Sequence, residues 1–255
     1  MPAATRALGA SLLICLSAAC LPAAPPRLLI SAAANLRKAC ERLESEFEAS
    51  TGIPMLFNFG STGKLAAQIE QGAPVDLLVA ADTATPRRLE SLDLTLPGSF
   101  AVYARGRLAL WWRADSSLDF GGLEDLARPE VKRIAIADPR LAPYGLAAEQ
   151  ALRAAGIWER VLPRLVFAEN IAQALQYAEM GNVESALVAR SLCAEGQGRW
   201  ILIPAGWHEP LDQALVLISG SPRAREAQRF AAFLLGPEGQ RILQSFGYEA
   251  PGAAP

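Results

Sequence analysis

Beyond residue 27, short apolar runs and amphipathic stretches take turns along the chain, and that alternation restricts the fold more than any other feature. Leu28-Leu29-Ile30-Ser31-Ala32 is a compact apolar run, as a strand covered on both faces requires. Leu36, Ala39, Cys40, Leu43 and Phe47 then recur at helical spacing, and Gly52 closes that helix. Residues 54–59 predict a second strand. Leu65, Ala66 and Ile69 open a second helix that stops near Gly72, and a third strand covers Val75 to Ala80. Pro86 sits in the first turn of a third helix. A second series starts near residue 107, with strands at 108–112, 134–136, 186–189 and 213–219. Its helices run from Leu146 to Ala155 and from Ile171 to Met180, ended by Gly156 and Gly181, and two more at 223–235 and 237–246 close the chain. This order predicts an α/β class with mainly parallel sheets flanked by helices. Pro97-Gly98 and Gly106 punctuate a strand-like run and mark a seam around 100–107.

Residues 1–24 read as an address rather than as fold. Arg6 supplies a positive start, Leu8 to Leu16 is apolar, and small residues follow, as in a cleaved export signal. The apolar part is too short for the ~20 residues of a membrane span. Ser17-Ala18-Ala19-Cys20 approaches a lipid-attachment box, with Leu16 one place too early, so a lipid anchor at Cys20 is the alternative. Pro22, Pro25 and Pro26 break any helix before the first strand. Export means an oxidising compartment. Cys40 and Cys193 survive maturation, and their apolar surroundings predict buried free thiols rather than a bridge.

Several chemistries are excluded by what is missing. The chain has one histidine, His208, so a multi-histidine metal site cannot be built. His208 lies in a loop pattern and is read as a surface residue rather than a catalytic one. No Cys-x-x-Cys pair occurs. Arg6 is the one charged residue of the first 26, so the remaining chain carries 23 basic against 26 acidic residues. No basic field exists to hold nucleic acid. Gly63-Lys64 imitates the end of a phosphate-binding P-loop, but Asn58 and Leu65 stand where that motif needs Gly and Ser or Thr. Asp76 and Asp82 flank the third strand without forming an acid–base pair, and Asp82 is read as a helix start. Trp111-Trp112 is read as core packing. The expectation is a protein with no catalytic residue, no resident metal and no cofactor.

The informative positions are the strand-to-helix turns. Asn35 stands between the first strand and a helix face, as an N-cap would. Gly60-Ser61-Thr62-Gly63 stands at the same place after the second strand, and Pro143-Tyr144-Gly145 precedes the helix from Leu146. Asn170 precedes Ile171, with Gln173 at capping-box spacing. Each turn offers unpaired N–H groups at the positive end of a helix dipole. Converging across a cleft, such turns hold a small oxyanion.

These same stretches resemble the molybdate-binding proteins of bacterial ABC importers. The resemblance is carried by SAAANL (31–36), FGSTGKLAAQIEQGAPVDLLVAAD (59–82), IADPRLAPYGLAAEQAL (136–152), AENIAQAL (168–175) and FLLGPEGQRILQSFGY (233–248). It implies a two-lobed periplasmic-binding-protein fold of type II, with the ligand cleft between lobes. On that likeness lobe 1 covers 27–105 and 214–255, and lobe 2 covers 106–213. It implies an extracytoplasmic, periplasmic monomer that captures molybdate, and tungstate with it, for the permease and ATPase of an importer. Carried over residue by residue, the contacts fall on Asn35, alone or with Ala34, on Ser61 or Thr62, and on the backbone N–H groups of Tyr144 and Ile171. Many members have Ser where this chain has Asn35, and many have a ligand-reaching Tyr where it has Ala189. A subgroup with Asn in the first loop and PYG in the second lobe also lacks that Tyr, and this chain is closer to it. The alternatives are a binder of sulfate, phosphate or a small organic anion, an enzyme on the same bilobal fold, and a ligand-sensing regulator domain. The single histidine speaks against the enzyme and the export segment against the regulator.

Overall fold

The computed structural model describes residues 27–193 and 198–252; the export signal expected at 1–24, with the alternative anchor at Cys20, lies outside the described residues. The first part of the chain runs β1 (Leu28–Ala33), α1 (Arg37–Thr51), β2 (Met55–Gly60), α2 (Thr62–Glu70), β3 (Leu77–Val79), α3 (Ala84–Ser91) and β4 (Ala101–Gly106). It crosses at Arg107 into β5 (Leu108–Trp112), β6 (Ile134–Ala137), α4 (Pro143–Ala154), α5 (Trp158–Val161), β7 (Leu165–Ala168), α6 (Ile171–Glu179), β8 (Ser185–Ala189) and β9 (Arg199–Leu202). A second crossing returns it to β10 (Leu211–Leu217), α7 (Ala224–Leu235) and α8 (Pro237–Ser245). Two five-stranded sheets result, ordered β2-β1-β3-β10-β4 and β7-β6-β8-β5-β9, one to each lobe. The lobe boundary expected at 213/214 falls inside β10, whose whole length pairs in the first sheet.

The sheets are mixed and mainly parallel, as expected: in each, four of the five strands run the same way and one, β10 or β5, runs against them. In each, two neighbouring pairs run parallel and two antiparallel. The reason lies in the crossings. The β-α-β units alone give parallel neighbours. Strands β10 and β5 enter from the opposite lobe, so both run against the strands beside them. The parallel strands β1, β2 and β3 therefore end at the cleft, and so do β6 and β7.

The first sheet is covered on both faces, and the two-residue period of its strands divides the core. Leu77, Val79, Leu215 and Leu217 pack with Phe47, Phe230 and Leu243. Leu78, Ala80 and Val216 pack on the other face with Leu65, Ile69 and Leu89. The second lobe has one large core, containing Trp111, Ile136, Ala148 and Leu187. Trp111 and Trp112 are core residues, as the sequence suggested. Cys40 and Cys193 are buried and free. Burial pushes the Cys193 thiol up to about 12 and the Cys40 thiol higher still. Among the described residues no helix is long and apolar enough to cross a membrane, and no group of three or more His, Cys, Asp or Glu could hold a metal ion.

Candidate functional site

Five strand ends deliver one small cavity between the lobes. The first lobe lines it with Ala33, Ala34 and Asn35 after β1, Gly60, Ser61 and Thr62 after β2, and Ala81 after β3. The second lobe adds Ala142, Pro143 and Tyr144 at the start of α4 and Ile171 at the start of α6. Asn35, Ser61, Thr62, Tyr144 and Ile171 are thus brought together from positions up to 136 residues apart in sequence. None of the lining residues carries a charge.

Asn35 is not an N-cap. It lies within a 3-10 turn, Ala34–Leu36, and Leu36 is the residue that precedes α1. Its side chain points into the protein instead, where the amide meets Gln213 at 2.9 Å and Tyr248 Oη at 2.8 Å. Its carbonyl accepts from Ser191 Oγ at 2.9 Å and Tyr248 Oη at 3.0 Å. The other atom of the amide is buried without a partner.

Ser61 occupies the cap position of α2, yet its hydroxyl caps nothing. It is buried and unpartnered, a costly state for a polar group unless something fills the cavity. Thr62 Oγ1 accepts the Ala81 N–H at 3.0 Å, which leaves its own proton free to be donated elsewhere. Gly63 donates across the cleft to Leu141 O at 3.0 Å. A Cβ on Gly63 would sit 2.9 Å from that oxygen, so the close approach of the lobes needs a glycine there.

Helix α4 begins at Pro143, earlier than the expected start at Leu146, because proline suits the first helical position. Tyr144 is therefore inside the first turn. Gly145 and Leu146 donate to Ala142 O at 2.9 and 3.1 Å, and Pro143 has no N–H, so the Tyr144 amide is the first-turn donor these bonds do not use. The same holds at α6. Asn170 Oδ1 takes the Ala172 and Gln173 N–H groups at 3.1 and 3.0 Å, and Ile171 is the amide the cap leaves over. Gln173 closes its side of the box on the Glu169 N–H at 2.7 Å. Replacing Asn170 by Ala is expected to cost about 1 kcal/mol of stability, read from the urea unfolding midpoint.

Every polar group left over in this cavity that has a proton to give is a neutral donor. Three helix N-termini add their dipoles. A tetrahedral dianion offers acceptors only, so the two sets match, and no cation has to be buried in the empty site. The wider opening beside it carries Asp82 and Glu209 with Arg140, and its carboxylates repel an anion. Burial raises the Asp82 pKa, and its carboxylate accepts from Thr85 N at 2.8 Å as a helix start should. Lys64 is held by Glu169 across the cleft at 2.9 Å, with both side chains near half-exposed. Lys64→Ala is expected to change anion affinity by less than about 1 kcal/mol, compared by titration at low and high salt. Arg37 lies over the Phe59 ring, 4.6 Å from its centroid. His208 is outside the cavity with Nδ1 at 2.7 Å from Glu209 O, and burial lowers its pKa. Ala189 is fully buried and does not line the cavity.

Behind the cavity stands a polar layer that the sequence reading missed: Tyr103, Gln213 and Tyr248, all buried, beside Asn35 and Tyr144. Desolvation raises the pKa of all three phenols.

Comparison with known proteins agrees with this architecture. The model of a family described as bacterial extracellular solute-binding protein matches residues 28–249. A molybdate-binding protein of Rhodobacter capsulatus is 32% identical, with 94% of this chain and 95% of that one covered. One from Azotobacter vinelandii is 34% identical, with 95% of each covered. The solved structure titled as the Azotobacter vinelandii periplasmic molybdate-binding protein superposes with a TM-score of 0.84 at 31% identity, covering 88% of this chain and 100% of that one. The sulfate-binding protein SubI of Mycobacterium tuberculosis, 13% identical over 89% of this chain and 87% of its own at a TM-score of 0.76, shares the fold alone.

Proposed function

The chain belongs to the bacterial extracellular solute-binding proteins, and from that premise we propose that it captures molybdate, and tungstate with it, in the cavity between its lobes. It hands the anion to the permease and ATPase of an ABC importer, and it works as a monomer. The observation that carries this reading is the donor set: the unpartnered Ser61 hydroxyl, the spare Thr62 proton and the Tyr144 and Ile171 amides around one uncharged cavity. Such a set binds and does not react, because it holds no nucleophile with a base beside it. The role is therefore transport and not catalysis. The molybdate-binding relatives, above 30% identical over nearly the whole chain, support the choice of anion. The resemblance of residues 1–24 to an export signal supports a periplasmic address, with attachment through Cys20 as the tethered form.

The two lobes grip from both sides, with Asn35, Ser61 and Thr62 in one and Tyr144 and Ile171 in the other. Ligand then favours the closed arrangement over the open one by its difference in affinity for the two. The test is retention. Chain 27–255, incubated with molybdate and passed through a desalting column, is expected to carry one molybdenum per chain by elemental mass spectrometry. Protein that elutes without molybdenum and gains no melting temperature with added molybdate contradicts the proposal.

A further inference from the structure

One backbone contact joins the two lobes beside the cavity. Gly63, in the first turn of α2, donates its N–H to Leu141 O at 3.0 Å. Among the described residues this is the one backbone–backbone hydrogen bond that runs from lobe to lobe. Ser61 and Thr62 directly precede Gly63, and Ala142, Pro143 and Tyr144 directly follow Leu141; all five line the cavity. The distance between these two backbones therefore sets the span between the donors of the first lobe and those of the second.

Both sides of the contact are braced. In the first lobe, the Leu65 N–H donates to Ser61 O at 3.1 Å and the Ala81 N–H to Thr62 Oγ1 at 3.0 Å, with Leu65 buried beneath. In the second lobe, the Leu141 and Ala142 N–H groups donate to Asp138 O at 3.1 and 2.9 Å. The Asp138 N–H in turn donates to Ala168 O, at the end of β7, at 2.8 Å. The neighbouring ion pair, Lys64 with Glu169, joins two long side chains near half-exposed, and such a pair yields by rotation. At 3.0 Å the Gly63–Leu141 bond already has its ordinary length, so closer approach meets repulsion. Gly63 is helical, and inside a helix glycine is less favourable than alanine. Its own helix does not call for a glycine; Leu141 O does, 2.9 Å from where a Cβ would stand.

We propose that the Gly63–Leu141 contact is the stop that ends closure of the cleft, and that these two positioning residues thereby set the size of tetrahedral anion the cavity accepts. The ligand class rests on the oxyanion reading above; the stop rests on the backbone geometry. An anion that spans the two donor sets at the stop receives full hydrogen bonds from both lobes. A smaller one cannot draw the lobes past the stop, so its bonds to one lobe stay long and weak. Selectivity by size then belongs to the contact between the lobes as well as to the donors.

Gly63→Ala tests the stop with molybdate and selenate, tetrahedral dianions of which selenate is the smaller. The methyl group meets Leu141 O and holds the lobes farther apart. The variant is expected to bind molybdate about tenfold more weakly and selenate about a hundredfold more weakly, so that its preference for molybdate widens about tenfold. Selenate is titrated directly or in competition with molybdate. A contact that merely steadies the closed form would lower both affinities by one factor. Equal losses for the two anions, or no loss at all, therefore overturn the stop. The ligand-free variant is expected to keep or raise its urea unfolding midpoint, because alanine favours the helix. Crystal structures of wild type with each anion decide the matter without a variant. The same Gly63 N to Leu141 O distance with both anions supports the stop; lobes that close farther on selenate overturn it. Wild type that binds molybdate and gives either contrary result refutes the stop alone. Wild type that binds neither anion overturns the oxyanion reading, and the size claim with it.

Discussion

Replacing Ser61 and Thr62 together by alanine is expected to weaken molybdate binding by about 3–6 kcal/mol, since two hydrogen bonds to a dianion are worth ~1.5–3 kcal/mol each. The two hydroxyls do not contribute to the unliganded fold alike. Ser61 Oγ has no partner, so its loss leaves the folded chain almost untouched. Thr62 Oγ1 holds the Ala81 N–H, and its loss strands that buried amide. The double variant should thus lose both affinity and some stability, and Thr62→Ser should keep both. Titration calorimetry beside urea unfolding separates the two effects. A double variant that binds as tightly as wild type would leave the Gly60–Gly63 stretch as a helix start and nothing more.

Gly106→Ala is expected to cost about 3 kcal/mol of molybdate affinity, roughly a hundredfold, at the upper end of what overpacking a core costs. Gly106 ends β4 at the first crossing. A Cβ there would sit 2.0 Å from Tyr144 Oη and 2.5 Å from Gln213 Nε2. Tyr144 is held by its helix and Gln213 by its network, so neither yields cheaply. Withdrawing α4 removes the clash with Tyr144, while the one with Gln213 stays within the first lobe, so the methyl group penalises the closed arrangement more than the open one. Small-angle scattering of the variant is expected to keep the wider, ligand-free profile at molybdate concentrations that compact wild type. A variant that compacts at the same concentration as wild type contradicts this role for Gly106.

The sequence made the strand-to-helix turns legible because cap chemistry is local. Asn170 with Gln173 and the Ser61-Thr62 turn sit within a few residues of what they serve, and the structure places all of them at helix starts. Proline at the first position of α4 was a signal that the reading passed over in favour of a later start. Strands β7 and β9 escaped notice because they are four-residue edge strands, partly exposed, with no clear alternation. The antiparallel pairs were hidden for a topological reason: β5 and β10 look like other apolar strands, and their direction is set by the crossings. Asn35 was misread as a cap because its partners, Gln213 and Tyr248, lie 178 and 213 residues away, where no local pattern reaches. Tyr103 and Gln213 gave no signal for the same reason.

Calorimetric titration of one preparation with molybdate and with sulfate tests the selectivity of the donor cage most directly. Sulfate is the smaller tetrahedron, and backbone donors fixed at helix starts cannot follow it inward. Losing two charge-assisted bonds at ~1.5–3 kcal/mol each gives molybdate an advantage of roughly a hundredfold or more. A molybdate dissociation constant at least a hundredfold below that of sulfate is the expected result; equal constants for the two anions, or heat from sulfate alone, would contradict it.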